Sequence, residues 1–184
     1  MQSLREKLQN EILPLVQKPS RYLGTELNST HKDLKDVELR VALVFPDLYD
    51  LGLGNLGILI LYAILNEKPW CWCERAYTPA PDMEAILRER GLPLFTNESK
   101  VSLAAMDVIG FTLQSELTYT NILNAIDLAD IPLRTKDRDE SHPVVIAGAN
   151  AAFNPETIAD FVDAAVLGDG EQAVAAVMSS LKQG

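Results

Sequence analysis

From Val37 onward one pattern repeats along the chain: a short apolar, β-branched run, a loop rich in Gly or Asp, then apolar residues at helical spacing. Strands that alternate with helices in this way build a parallel sheet, because parallel neighbours need a crossover and cannot be joined by a hairpin. ELRVALVFP, WCWCERAY, DVIGFTL, PVVIAG and AAVLG supply five strands, and NLGILILYAILNEK, PDMEAILRERG, LTYTNILNAIDLAD and DGEQAVAAVMSSLKQ supply the main helices. Pro81 and Asp82 open the second of these helices, and Gly91 closes it where a left-handed cap is favoured. LPLFT reads as a short extended piece, SKVSLAAM and NPETIADF as short helices, the latter with Asn154 as its cap.

The first 36 residues read differently. Leu4, Leu8, Ile12, Leu13 and Val16 recur at helical spacing, with Pro14 placed to bend or end the helix. That apolar stripe must pack on the main body, on a second copy or on another partner, so a homodimer stays open. Residues 18–36 are rich in Pro, Gly, Ser, Thr, Asn and charge, and read as a connecting arm with RYLGTEL as a short extended piece. The expected organisation is an N-terminal helix and arm (1–36) followed by an α/β domain (37–184). That domain is expected to be a flavodoxin-like (Rossmann-type) three-layer sandwich, with a mostly parallel five-stranded sheet in the order 2-1-3-4-5.

Composition narrows the function classes. With 26 acidic against 16 basic residues, the net charge of -10 argues against direct nucleic-acid binding, which needs clustered Lys and Arg. LGILILYAILN falls short of the ~20 apolar residues that span a bilayer, and the opening MQSLREKLQNE lacks the apolar stretch of a signal peptide. Cys71 and Cys73 in CWC are too few for a disulfide framework, so a reducing cytoplasm is expected and the two thiols read as small buried apolar residues. Trp70, Trp72 and Tyr77 read either as buried beneath a crossover helix or as a docking edge.

In open α/β sheets, ligands bind outside the carboxyl ends of the strands. The loops there are DLYDLGLGN, QSEL, GANAAFN and GDGEQA. Gly52, Gly54, Gly148, Gly168 and Gly170 permit positive φ or close backbone approach, although tight turns into helices need glycine for the same reasons. Gly52, Gly54 and Gly57 come near a dinucleotide fingerprint and are read as a turn into the first crossover helix. Asp47 and Asp50 could serve a divalent metal only with another Asp at the end of the third strand, where Leu113, Gln114 and Ser115 stand; Asp47 fits a bond to its own loop better. Glu171 either caps the last helix or touches a ligand. Nothing in these loops forms a catalytic centre.

The loops resemble those of cobalamin-binding domains of the methionine synthase and mutase type, which read Asp-x-His-x-x-Gly, Ser-x-Leu and Gly-Gly. Asp47, Tyr49 and Gly52 occupy the first pattern, Ser115 and Leu117 the second, and Gly148 with Ala149 the third. Tyr49 stands in place of the cobalt-ligating His and Ala149 in place of the second Gly. A tighter similarity is to the amino-terminal, cobalamin-binding-like domain of a group of radical S-adenosylmethionine (SAM) proteins. RYLGTE, FPDLYDLGLGNLG, ERAYTPAPDME, IGFTLQSELTYTNILN, VIAGANAAFNPE and GDGE carry it over residues 21–175. Where that family has Gly-Gly-Pro-Cys, this chain has Gly148, Ala149, Asn150 and Ala151. The resemblance implies a module that binds cobalamin without a protein His ligand, with Gly168, Gly170 and Glu171 completing the site. It also implies a radical SAM catalytic domain, in cis or in trans, that holds S-adenosylmethionine and a [4Fe–4S] cluster. The alternative is a degenerate fold that no longer binds cobalamin and serves that catalytic domain as a structural or docking unit. His31 and His142 are the only histidines, one in the arm and one ahead of the fourth strand.

Overall fold

The computed structural model describes residues 3–148 and 154–183, with Gln183 described by its backbone alone. Five strands, β1 (Leu39–Phe45), β2 (Cys71–Tyr77), β3 (Val108–Thr112), β4 (Val144–Gly148) and β5 (Ala164–Val166), form an all-parallel sheet in the order β2-β1-β3-β4-β5. The order expected from the sequence is the one observed. Six helices accompany them among the described residues: α1 (Leu4–Lys7), α2 (Tyr49–Gly52), α3 (Leu56–Asn66), α4 (Pro81–Arg90), α5 (Tyr119–Leu128) and α6 (Gly170–Gln183). None is long and apolar enough to cross a membrane.

Alternation along the strands sends successive side chains to opposite faces, so each face builds its own core. Ala42, Val44, Ile109, Phe111, Val145 and Ala147 point to one side and meet Ile122 and Ile126 of α5. Leu39, Val41, Leu43, Cys71, Cys73, Val108 and Ile146 point to the other and meet Tyr62 and Leu65 of α3 with Val174 and Met178 of α6. Gly91 ends α4 at φ 58°, in the left-handed conformation expected of it. Asn154 differs from expectation: its side chain makes no capping bond, and the segment after it is a single tight turn, Pro155–Thr157, too short to need one. SKVSLAAM likewise contains only one such turn, Leu103–Ala105.

The N-terminal stripe packs on the body of the same chain. Ser3 and Glu6 form a reciprocal capping box on α1, and a wider helical turn (Leu8–Ile12) and a tighter one (Leu13–Leu15, with Pro14) continue it. Leu8, Ile12, Leu13 and Val16 are buried against Tyr22, Met83, Leu87 and Phe95.

Strand β2 lies at the sheet edge, where a strand normally keeps one side in water, yet all seven of its residues are buried. Asn66, Asn97 and Glu98 bond its edge backbone at Cys73 and Arg75, and residues 17–32 form a strap over the edge. The Trp72 indole donates to the Thr30 carbonyl at 3.1 Å, the Thr30 N–H donates to the Tyr62 hydroxyl at 2.6 Å, and Lys32 donates to the carbonyls of Asn66, Lys68 and Cys71. Trp72 therefore owes its burial to the strap, while Trp70 is only half-buried, with Lys182 Nζ 5.0 Å from its ring centre.

Beneath the strap runs a seam of buried charge. Arg75 pairs with Glu98 at 2.7 Å and also donates to Ser29, Asn28 and Glu26. Glu74 accepts from Arg40 at 2.9 Å, Thr96 at 2.7 Å and the Ser99 N–H at 2.9 Å. Lys100 donates to the carbonyls of Leu23 and Asn97, which lie on either side of the strap's closest approach. Gly24, at φ +66°, is required there: a Cβ would stand 1.7 Å from the Asn97 carbonyl oxygen.

Candidate functional site: a cavity at the carboxyl rim

On the α3 and α6 side, the sheet floor falls away at the carboxyl ends of its central strands. The positions that should raise side chains there are glycines. Gly110 of β3 lies opposite Leu43 and Ile146, and Gly148 of β4 lies opposite Thr112 and Val166. The space left between sheet and helices is a cavity of about 170 Å³. Leu43, Ile146, Val166, Leu61 of α3 and Val174, Val177 and Met178 of α6 make its walls, with Asn55, Gln114 and Glu171 among its polar lining residues. A cavity of ~150 Å³ with such a lining can hold a benzene ring, so this one has room for a small ring system.

Thr112 supplies a polar atom inside it. The residue is 8% exposed, lines the cavity, and its Oγ1 has no hydrogen-bond partner among the described residues. An unpaired buried hydroxyl costs about 1–3 kcal/mol, so this atom is a ready donor or acceptor for whatever enters.

The sequence-derived residues divide into two groups at this rim. Gly148, Gly168, Gly170 and Glu171 line the cavity. Gly168 adopts φ +89° in the turn that brings the start of α6 over it, and Gly170 lies against Leu61, where a Cβ would meet the leucine side chain at 3.3 Å. Asp47, Tyr49 and Gly52 lie at the same end of the sheet but are turned toward β2 and the strap. Asp47 accepts from the Leu48 N–H at 2.7 Å, a bond within its own loop. The Tyr49 hydroxyl donates to Glu26 Oε1 at 2.7 Å, and its ring packs edge-on to Tyr77 at 5.1 Å. Gly52 is packed so closely that a Cβ would stand 2.7 Å from Tyr77 and 2.8 Å from Phe45. Ser115 caps the turn Glu116–Thr118, accepting from the Leu117 N–H at 3.3 Å, and Leu117 projects into solvent at 88% exposure. Ala149 lies outside the described residues.

Gly52, Gly54 and Gly57 satisfy the spacing G-x-G-x-x-G in full, yet they do not act together. Gly52 is a packing residue of α2, a Cβ on Gly54 would meet nothing, and Gly57 lines the cavity one residue inside α3. Sequence reasoning missed Gly110, Thr112, Leu61 and Val174. Gly110 carried a readable signal, since an isolated glycine inside an apolar strand marks a close approach or an opening. The others look like ordinary core residues.

No group of three or more His, Cys, Asp or Glu able to hold a metal occurs among the described residues. Burial and the adjacent Glu26 carboxylate push the Tyr49 phenol far above its usual range, so it keeps its proton and donates it to Glu26. His31 packs edge-on to Trp72 at the sheet edge, and His142 bonds to Asp139 ahead of β4. Neither is at the carboxyl rim. Cys71 and Cys73 are buried on β2, with the Cys71 thiol pushed up to about 11 by burial.

Among known families, the model of radical SAM proteins, N-terminal, matches residues 57–184. The match takes in α3, β2 to β5 and α6, and so most of the cavity lining. No curated protein and no solved structure matches the chain. Membership implies S-adenosylmethionine and a [4Fe–4S] cluster in an associated radical SAM core, a role that two buried, two-apart cysteines on β2 do not fill. With more than half its length matched, and a parallel sheet whose glycine-floored cavity lies inside the matched region, this chain belongs to the N-terminal family of radical SAM proteins.

Proposed function

We propose that the chain is a ligand-presenting module that binds a corrinoid at its carboxyl rim and offers it to a radical SAM catalytic domain. The observation that carries this reading is the cavity between α3 and α6, whose floor is opened by Gly110 and Gly148. It is apolar, of ring-system size, and holds one unpaired hydroxyl at Thr112, so it suits the flat heterocyclic tail of a cobalamin. Leu61, Val166 and Val174 would clasp the tail, Thr112 would bond its polar edge, and Glu171 and Gln114 would stand at the polar boundary.

The lower face of the corrin would receive no protein nitrogen. Tyr49 is held by Glu26 and packed edge-on against Tyr77, so the cobalt would be carried without a protein ligand. A bound corrinoid supplies a redox-active cobalt centre; the residues of this chain hold and orient it and contribute no reacting group. The catalytic step belongs to the SAM-binding partner.

Titration of the purified protein with hydroxocobalamin, followed by gel filtration, tests the reading. The expected result is co-elution of the visible chromophore with the protein, lost in Val174→Phe, which fills the cavity from α6. A chromophore that separates from the wild-type protein overturns it and leaves the fold as a structural or docking unit of the catalytic domain.

A further inference from the structure

The strap does more than cover β2, because it also grips the loop at the mouth of the carboxyl rim. Lys18 and Arg21 both bond to the Asp50 carboxylate, and Glu26 accepts from Tyr49 at 2.7 Å. Asp50 and Tyr49 belong to α2, the short helix immediately after β1. On its other side the strap is anchored to strand and helix ends: the Gln17 N–H donates to Asp82 at 2.7 Å, the Ala80 N–H donates to the Tyr22 hydroxyl at 3.0 Å, and Glu26 and Ser29 meet Arg75. Glu26 therefore touches both the buried Arg75 and the rim residue Tyr49 with one carboxylate.

We infer that residues 17–32 act as a latch on the rim loop, so that release of the strap and opening of residues 47–53 are a single conformational event. Two segments joined through shared ionic and charge-assisted bonds are coupled in both directions: loosening either must loosen the other by the same free energy. Apart from the strap, the loop is tied to the body by the Thr78 N–H, which donates to the Asp47 carbonyl at 3.0 Å. Within α2 the Gly52 N–H bonds to the Leu48 carbonyl at 3.1 Å and the Leu53 N–H to the Tyr49 carbonyl at 2.8 Å, a single turn that cannot persist alone. Gly52 is wedged against Phe45 and Tyr77, so the loop is seated on the Tyr77 ring that also meets Tyr49. The inference goes beyond corrinoid binding and is tested on the protein without ligand.

Amide hydrogen exchange on two variants gives the test. Gly24→Ala breaks the strap at a position that does not touch the rim loop, because its Cβ would strike the Asn97 carbonyl. Tyr49→Phe, made together with Asp50→Asn, breaks the link from the opposite side, removing the bond to Glu26 and the ion pairs with Lys18 and Arg21. Gly24→Ala is expected to speed exchange at Ser29 and Thr30 and, by a comparable factor of roughly tenfold or more, at Gly52 and Leu53, while β3 and β4 stay protected. The double variant is expected to speed exchange at Ser29 and Thr30. Faster strap exchange in Gly24→Ala with unchanged rates at Gly52 and Leu53 overturns the inference. Should Gly24→Ala loosen β3 and β4 as well, the double variant decides alone: unchanged strap rates in that variant overturn it.

Discussion

Replacing Arg75 by Met removes the charge from the seam beneath the strap while keeping most of the stem. Arg75 is 1% exposed and Glu98 2% exposed, so neither has water to fall back on. The substitution deletes the 2.7 Å ion pair with Glu98, the bonds to Ser29 at 3.2 Å, Asn28 at 3.3 Å and Glu26 at 3.4 Å, and the guanidinium 4.6 Å from the Tyr62 ring centre. Glu98 keeps only the Arg75 backbone N–H, at 2.7 Å. Removing one partner of a buried pair costs about 3–5 kcal/mol, because the other charge stays buried and unpaired. With a urea slope of ~2 kcal/mol/M, the unfolding midpoint at pH 7 should fall by roughly 1.5–2.5 M. Burial already pushes the Glu98 carboxyl above its usual range, and without Arg75 it rises further. A carboxyl raised in the folded state binds its proton more tightly there than in the unfolded chain, so acid favours the variant and the deficit should narrow between pH 7 and pH 5. Urea unfolding followed by circular dichroism at the two pH values reads both effects. A loss under ~1 kcal/mol at pH 7, or a deficit that grows on acidification, would refute the assignment of Arg75 as the charge that holds the seam together.

Other outcomes follow from the same packing. Leu8→Ala, at a residue with 0% exposure, should cost about 2–5 kcal/mol in a chemical unfolding experiment; a loss below 1 kcal/mol would mean that the N-terminal stripe is not part of the core. Gly52→Ala should destabilise by more than the ~1 kcal/mol that alanine normally gains over glycine in a helix, since its Cβ has no room beside Tyr77; a stabilised variant in thermal unfolding would contradict that packing. Burial holds the Cys71 thiol at about 11 and the Tyr62 and Tyr77 phenols at about 12, so each keeps its proton after the unfolded chain has lost it. Their contribution to stability is complete below pH ~9 and is lost as pH rises to ~12. Lys100, lowered to about 8, and Lys32, also lowered by burial, act in the opposite sense between pH ~8 and ~10, but they are two groups against several. Stability measured from pH 8 to pH 11 should therefore decline above pH 9, and a steady rise across that range would contradict the burial of these groups.

The sheet was legible because its determinants are local. Leu39 to Phe45 and Val144 to Gly148 are short apolar runs followed by turn residues, and Gly91 announced the end of α4 by occupying the one conformation that β-carbon sterics discourage. The strap was not legible, since every contact that makes it a strap is distant in sequence. Arg75 is 49 residues from Glu26, and nothing near either one indicates the other. Residues 18–36 therefore read only as a connecting arm, and neither alternative for Trp72, burial beneath a crossover helix or a docking edge, includes the strap that covers it. The rim was legible as a set of polar loops from topology alone. Its division into a cavity side and a strap side depends on the direction of Tyr49 and on the absence of a side chain at Gly110, which only the three-dimensional packing settles. The missing nitrogen at position 49 could be read from the sequence; its engagement by Glu26 could not.

The proposed fit of a corrinoid's heterocyclic tail into the cavity floored by Gly110 and Gly148 has a measurable signature. Parallel equilibrium titrations with hydroxocobalamin and with cobinamide, the same ring system lacking that tail, address it directly. Cobalamin is expected to bind at least tenfold tighter than cobinamide, and Val174→Phe to abolish the difference. Equal affinity for the two ligands, or cobalamin binding untouched by Val174→Phe, would contradict it.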